Sequence, residues 1–364
     1  MKKFNNLFKL IYKTLVNNIF FILYGKIYLA KNNNVKIKEI NNSKIKNINQ
    51  KNYKIYIIKN GRVCTDGVEQ VAYITGNSLI KNISYTQIKG TLVSANKNFV
   101  LKRGTPYFKK KIDGIVLSLA QGASGNKNYF HWMFDILPKI KIALSYFSIK
   151  EIDYFYMPAL QNFQIRILNI LGVKKFKIID SNKFKHIHAT KILVPEHPWY
   201  NKNKIFDEVD KLPTWILKWL RSSFLEKGKS NSKNKKFFID RSETKNKHCQ
   251  LINNDQIKKI LLKKGFKAIK VGKYNFVNQI TLFNNADIII GPHGAAFTNL
   301  IFCKPNTKVI EIKPINRPNN YKTISKINNL KYKQIITSLI PVKKRINGDM
   351  YLNPEKLKNL LRND

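Results

Sequence analysis

The segment Ala286-Asp287-Ile288-Ile289-Ile290-Gly291-Pro292-His293-Gly294-Ala295-Ala296-Phe297-Thr298-Asn299 settles what kind of fold this chain adopts. Asp287–Ile290 reads as a buried strand that runs into a glycine-rich turn and then into a helix over Ala296–Phe302. Gly291 and Gly294 let the backbone come close to a ligand, and the first N–H groups of a helix are open to an anion. His293, in the middle of the turn, can donate to a phosphate oxygen. The same pattern also fits an ordinary strand–turn–helix with a hydrogen-bonded histidine.

Outward from this segment, strands and helices alternate. On its two sides lie a Phe237–Asp240 strand, an Asp255–Lys264 helix, an Ala268–Val271 strand and a Phe276–Phe283 helix, then a Val309–Ile312 strand, a Tyr321–Leu330 helix and a Gln334–Thr337 strand. Asn353 caps a last helix with Pro354 at its first position. Further upstream come β-like runs at Lys54–Lys59, Gly90–Ser94, Phe99–Lys102 and Ile115–Leu119, then a helix over 129–147. A strand Ile152–Met157, a helix Leu160–Leu171, strands Lys175–Ile179 and Ile192–Val194, and a helix from Pro213 to about Glu226 follow. Such alternation predicts βαβ units and parallel sheets. The polar stretch 227–235 separates two such blocks. The expected organisation is a basic helix and linker (1–53), a first α/β domain (54–228), a second (229–340) and a C-terminal helix packing back on the body (341–364). Small anionic ligands are expected in a cleft between the two domains.

Composition narrows the classes. The 364 residues suffice for two ordinary domains, and 43% hydrophobic residues, 12% of the chain being aromatic, supply real cores. Lys and Arg number 67 against 21 Asp and Glu, a formal charge of +46. Only eight of the 67 are Arg, whose bidentate fork reads phosphates and bases, and no RRM-like aromatic motif is present. No nucleic-acid partner is expected, and a basic RNA-binding protein is the remote alternative. The Lys, Asn and Ile excess fits AT-rich coding, though the surface still attracts anions. Cys64, Cys249 and Cys303 lie far apart without CxxC spacing, which argues against a disulfide framework or a Cys-rich zinc site and fits a reducing cytosol.

At the N-terminus, Phe4, Phe8, Ile11, Leu15, Ile19 and Ile22 recur at helical spacing among Lys and Asn. The clean run from Ile19 to Gly25 is far short of the ~20 residues that span a bilayer, and no small-residue cleavage site follows it. An amphipathic basic helix is expected, either packed on the body or lying on an anionic membrane face.

Two further segments bear chemistry. In Asn128-Tyr129-Phe130-His131-Trp132-Met133-Phe134-Asp135-Ile136-Leu137-Pro138, His131 and Asp135 share one face of a helix. They can act as general base and orienting partner, or form a plain salt link. In Phe237-Phe238-Ile239-Asp240-Arg241, the Arg leaves the end of a strand, where it meets a diphosphate or is simply a surface charge.

In order and spacing, the HWxFDxLP string at 131–138, Phe238–Arg241, the GPHGAxxTN string at 291–299 and Val309–Glu311 resemble glycosyltransferase family 61. That group includes bacterial capsular-polysaccharide transferases and eukaryotic O-linked GlcNAc and xylosyl transferases. The resemblance covers roughly 115–335. It implies a GT-B architecture of two Rossmann-like domains, a nucleotide-sugar donor (UDP-linked) on the second, inversion at the anomeric carbon, and no obligatory metal or other cofactor. The chain contains no Asp-x-Asp sequence, in agreement with the last point. Asp135 or His131 is then the catalytic base. Arg241, His293, the amides of Gly294 and Ala295, Thr298 and Asn299 are expected around the diphosphate. Glu311 is placed to accept from a ribose or sugar hydroxyl, and Asn128 and Tyr129 lie on the acceptor side. The implied acceptor is a cell-surface glycan of capsule or lipopolysaccharide type, free or lipid-linked, used in the cytoplasm or at the inner membrane face. There is one departure: Cys249–Asn254 stands where relatives carry an Arg-rich stretch followed by Asn-Glu, and Lys245, Lys247 or His248 would have to substitute. Ala296 also replaces a common Gly. A weakened, glycan-binding or scaffolding member of the fold is the alternative this departure supports.

Overall fold

The computed structural model describes residues 2–30, 35–46, 51–66, 70–88, 91–120, 128–158, 161–200, 209–228, 230, 233–242, 249–342 and 345–362. For residues 2–11, 13, 86–88, 91–92, 342 and 345–347 it describes the backbone only. The chain is α/β and divides into two compact units, Met1–Glu208 and Val209–Asp364, each with its own sheet and core. All three thiols are buried and none is in a disulfide.

The first unit opens with a helix, Lys2–Tyr24. Its strands are β1 (Tyr28–Leu29), β2 (Lys36–Ile40), β3 (Tyr53–Thr65), β4 (Val71–Thr75), β5 (Ser78–Leu79), β6 (Thr86–Ile88), β7 (Thr91–Val93), β8 (Lys109–Ser118), β9 (Tyr154–Met157), β10 (Ile178–Asp180) and β11 (His186–Pro195). Apart from a β6–β7 hairpin, they form one sheet in the order β1-β5-β4-β3-β11-β8-β9-β10, with β2 also paired to β3.

That sheet is mixed, not parallel throughout as the alternation predicts. β11, β8, β9 and β10 run parallel, but β3 is antiparallel to β2, β4 and β11. The strand that begins at Tyr53 does not stop at Lys59 but runs on through Asn60-Gly61 to Thr65. Asn60 adopts φ 44, and Gly61 lies so close to Ile58 that a Cβ would come within 2.7 Å of it. β3 therefore extends well past Lys54–Lys59, and β2 and β4 fold back against it. β2 falls inside the stretch read as linker, of which 31–34 and 47–50 lie outside the described residues. Phe99–Lys102 is likewise not a strand but part of a helical turn, Val100–Arg103. Asn98 decides this, accepting from the Val100 amide (3.3 Å) while donating to the carbonyls of Val71 (2.9 Å) and Ser84 (3.1 Å). Gly104, at φ 62, ends the turn.

The second unit follows the sequence pattern closely. Its sheet holds β12 (Lys236–Ile239), β13 (Lys267–Ile269), β14 (Ile288–Pro292), β15 (Lys308–Pro314) and β16 (Lys331–Thr337), all parallel, in the order β13-β12-β14-β15-β16. Helices Asn254–Lys263, Phe276–Asn284 and Asn320–Ile327 and the 3-10 segment Ala295–Phe302 connect them. The chain changes direction across the sheet between β12 and β14. In open parallel sheets, ligands bind beyond the carboxyl ends of the strands at such a switch point.

Helix Thr214–Phe224 belongs to this second unit. Arg221 Nη1 donates to the carbonyls of Ile301 (2.6 Å) and Cys303 (2.8 Å), and Phe224 packs edge-on against Phe276 (5.1 Å). The division thus precedes the polar stretch 227–235, in which 229, 231 and 232 lie outside the described residues. The C-terminal part is more than a helix. β17 (Leu339–Val342) and β18 (Arg345–Met350) form an antiparallel hairpin before helix Pro354–Arg362, and Leu357 shares a core with Ile257 and Leu261.

Candidate active site

The first cluster is built in the first unit. Asn128 caps the segment that follows it, its side-chain oxygen accepting from the Phe130 amide at 2.9 Å. After Tyr129–His131 the helix widens into a π turn, Trp132–Ile136, and α geometry resumes over Leu137–Ala143. Pro138 accounts for the widening: in a regular helix its ring would press on the carbonyl of Phe134 and could not donate to it. Trp132, Met133, Phe134 and Ile136 are all fully buried, so the segment is enclosed on every side.

Asp135 lies in the π turn with no solvent exposure. Its Oδ2 pairs with His131 Nδ1 at 2.7 Å, and its Oδ1 accepts from the Trp199 indole at 2.9 Å. His197 Nε2 stands 3.9 Å from the same Oδ2. His197 Nδ1 accepts from the amides of Trp199 (3.3 Å) and Tyr200 (3.1 Å), which puts its proton on Nε2. Burial holds His197 well below the ordinary histidine value, and Lys139 and His131 lower it further. His131 moves the other way: burial lowers it, but the charge and hydrogen bond of Asp135 outweigh that and raise it above 6.5. Lys139 is fully buried, its Nζ has no partner among the described residues, and burial lowers it to about 7 against the pull of Asp135. A quarter of the His131 side chain is exposed, so its Nε2 is the nitrogen that can meet a substrate. Tyr129 packs edge-on against Phe163 at 5.7 Å. Sequence reading finds His131 and Asp135 but misses Trp199, His197 and Lys139; the one available signal is the aromatic run Glu196–Tyr200 directly after a strand.

The second cluster sits at the carboxyl ends of β12 and β14. Arg241 is buried across the turn, its Nη1 donating to the His293 carbonyl and to that of Cys249 (3.4 Å). Its guanidinium fills the space over Gly294, where a Cβ would lie 2.7 Å from Cζ. Space, not backbone conformation, makes position 294 a glycine, since its φ of 167 is extended. His293 Nδ1 pairs with Glu311 Oε1 at 2.5 Å, and Glu311 Oε2 accepts from the Tyr332 hydroxyl. Burial and the Glu311 carboxylate both push the Tyr332 phenol up. Glu311 is fully buried, with one oxygen engaged by His293 and the other by Tyr332. The His293 ring tilts against Tyr321 at 5.2 Å.

Gly294 and Ala295 open the 3-10 segment, whose leading amides have no partner within it. Thr298 is fully buried, and Asn299 donates to Gln279 (2.9 Å) and to the Ala296 carbonyl (3.2 Å), tying the turn to the neighbouring helix. His293, Arg241, Gly294 and Ala295 therefore come together, while Thr298, Asn299 and Glu311 support them from within. Tyr332 and Tyr321 are additions that the motifs do not reveal.

Lys245, Lys247 and His248 lie outside the described residues. Cys249–Asn254 is engaged with the C-terminal hairpin: Cys249 N donates to Gly348 O (3.0 Å), Ile252 N to Met350 O (2.9 Å) and Met350 N to Gln250 O (2.7 Å). Among the described residues, no group of three or more His, Cys, Asp and Glu is placed to hold a metal ion.

Each unit thus presents a histidine held at Nδ1 by a buried carboxylate. Such an imidazole takes a proton at Nε2 when neutral and donates to an anion when charged. A family model described as Glycosyltransferase 61 matches residues 129–310, half of the chain, from Tyr129 through His131, Asp135, Arg241 and His293. The EGF domain-specific O-linked N-acetylglucosamine transferase of Drosophila melanogaster is 29% identical over 90 residues, 24% of this chain and only 17% of that protein's length. On the half-chain match, which takes in the principal residues of both clusters, this chain belongs to glycosyltransferase family 61.

Proposed function

We propose that the protein is an inverting glycosyltransferase that moves a sugar from a nucleotide-sugar donor to a glycan acceptor without an obligatory metal. The observation that carries this reading is the His131–Asp135 pair, bonded at 2.7 Å and fixed from behind by Trp199. The acceptor hydroxyl gives its proton to His131 Nε2 while its oxygen bonds to the anomeric carbon. The bond from that carbon to the diphosphate oxygen breaks on the opposite face, and the diphosphate leaves with the electron pair. Asp135 orients the imidazole and stabilises the imidazolium that forms. In the second unit, His293 and the amides of Gly294 and Ala295 receive the diphosphate charge, and Arg241 braces that turn and adds positive charge.

The GT-B arrangement, a UDP-linked donor and a capsular or lipopolysaccharide acceptor at the inner membrane face belong to this proposal and rest on the family resemblance. N-acetylglucosamine is the first sugar to test, because the Drosophila relative's name carries it. A second reading, glycan binding without turnover, draws on Cys249–Asn254, whose backbone is committed to the C-terminal hairpin.

Thermal unfolding with UDP, GDP, CMP and TDP and their sugars, in EDTA, tests the donor site. A ligand at a hundred times its dissociation constant adds ~2.7 kcal/mol of stability. The expected result is a selective shift that survives EDTA, together with sugar transfer in an activity assay. No shift with any nucleotide overturns the donor reading, and a shift without transfer supports the binding-only one. Arg241→Ala is expected to weaken the nucleotide shift at least ~10-fold in concentration, because the turn loses its brace and the site a positive charge.

A further inference from the structure

Helix Lys2–Tyr24 has one face pinned to the first unit and another left bare. On the pinned face, Phe20 packs edge-on against Phe108 at 5.4 Å, and Tyr24 against His186 at 5.1 Å. The Tyr24 hydroxyl accepts from the Lys109 amide (3.1 Å) and its carbonyl from Arg62 Nη1 (3.3 Å). Phe21 covers Gly104, where a Cβ would come within 2.9 Å of the ring. The bare face carries Tyr12, Leu15, Ile19, Ile22 and Leu23, which are 64%, 58%, 54%, 85% and 53% exposed. Their spacing places them along one side of the helix. Phe108, 81% exposed and in contact with Phe20, extends the apolar surface onto the body. Exposed Lys26 follows the helix, exposed Lys102 and Arg103 close the turn before Gly104, and exposed Lys109 follows Phe108; the ammonium groups of Lys26 and Lys109 sit over Tyr28 (5.8 Å) and Tyr24 (5.0 Å).

We propose that this face docks on an anionic lipid bilayer, with the apolar row and Phe108 entering the headgroup–acyl boundary and the basic residues meeting lipid phosphates. A surface helix ordinarily turns its apolar stripe toward its own protein. Here aromatic residues on another side do the docking, and the stripe faces outward, where contact with water is unfavourable. A second copy of the chain fits poorly as the partner, since each copy carries +46 and would bring a like-charged rim against the first. Anionic headgroups complement that rim. No helix among the described residues is long and apolar enough to cross a membrane, so the helix lies in the interface. This inference does not depend on the catalytic reading.

Co-sedimentation of the full chain with phosphatidylcholine vesicles, with and without phosphatidylglycerol, tests it. Binding is expected only with the anionic lipid, to weaken in high salt, and to fall at least ~10-fold in the double variant Ile19→Glu, Ile22→Glu. The conservative pair Ile19→Leu, Ile22→Leu should bind as wild type does. Phe108→Ser, outside the helix itself, provides a second reading should the double variant lose its melting transition. Absence of binding, equal binding to neutral vesicles, or undiminished binding by the Glu variant and by Phe108→Ser would overturn the proposal. A dimer in sedimentation equilibrium that the Glu variant dissolves would also overturn it and place a second copy on this face.

Discussion

His131 and His293 are both held at Nδ1 by a buried carboxylate. Asp135 raises His131 above 6.5, so the neutral imidazole that can accept a proton forms only as pH rises through that raised value. The acid limb of the rate profile is therefore expected above pH 6.5 in wild type and lower in Asp135→Asn, with kcat reduced by ~100-fold or more as tautomer control is lost. Stability runs the opposite way. A group raised on folding contributes fully below its unfolded value of 6.5 and loses that contribution as pH climbs through the folded one. The stability gap between wild type and Asp135→Asn should narrow as pH rises, which urea titrations at several pH values would show. Trp199→Phe removes the donor to Asp135 Oδ1 and leaves a buried oxygen unsatisfied. A loss of about 1–3 kcal/mol is expected in the same titrations. The sequence shows His131 and Asp135 because they are neighbours on one helix. Trp199 is 64 residues away from Asp135, and nothing local announces that contact.

Among the elements, those governed by local chemistry are the ones legible in advance. The strand before His293 is marked by three isoleucines and a Gly-Pro stop, and β14 ends within that turn. β3 is read short because nothing local shows the strand continuing past Lys59, whereas β11 and β4 both pair with it from Gly61 onward. The π turn at Trp132–Ile136 is invisible to spacing, since His131 and Asp135 remain four residues apart in either kind of helix. Glu311 comes forward as a ligand contact from its place at a strand end. Its true neighbours, His293 and Tyr332, meet it only when β14, β15 and β16 are laid side by side. Gly294→Ala tests the turn as a unit: the new Cβ must displace the Arg241 guanidinium. Nucleotide-dependent stabilisation should be largely lost, while unfolding of the ligand-free protein shifts by no more than ~1–3 kcal/mol, the usual range for overpacking.

Across the whole molecule, charge is the dominant feature after the two sheets. A formal +46 spread over 364 residues repels itself in the compact state. Added salt screens that repulsion within a Debye length of about 10 Å at 0.1 M, so Tm is expected to rise between low and moderate ionic strength. A flat or falling Tm would mean that local ion pairs, not the net charge, set the salt response. The α/β class was readable from the strand–helix alternation, but the mixed sheet of the first unit was not, because antiparallel neighbours are chosen by connection length and not by composition.

Burial of Cys64, Cys249 and Cys303 has a practical side. Burial raises all three thiols, so none is a ready thiolate at neutral pH. The chain is in effect silent toward maleimides while folded. A cysteine placed at position 22 would be the one site to react, and an environment-sensitive dye there would report its own surroundings with no background to subtract.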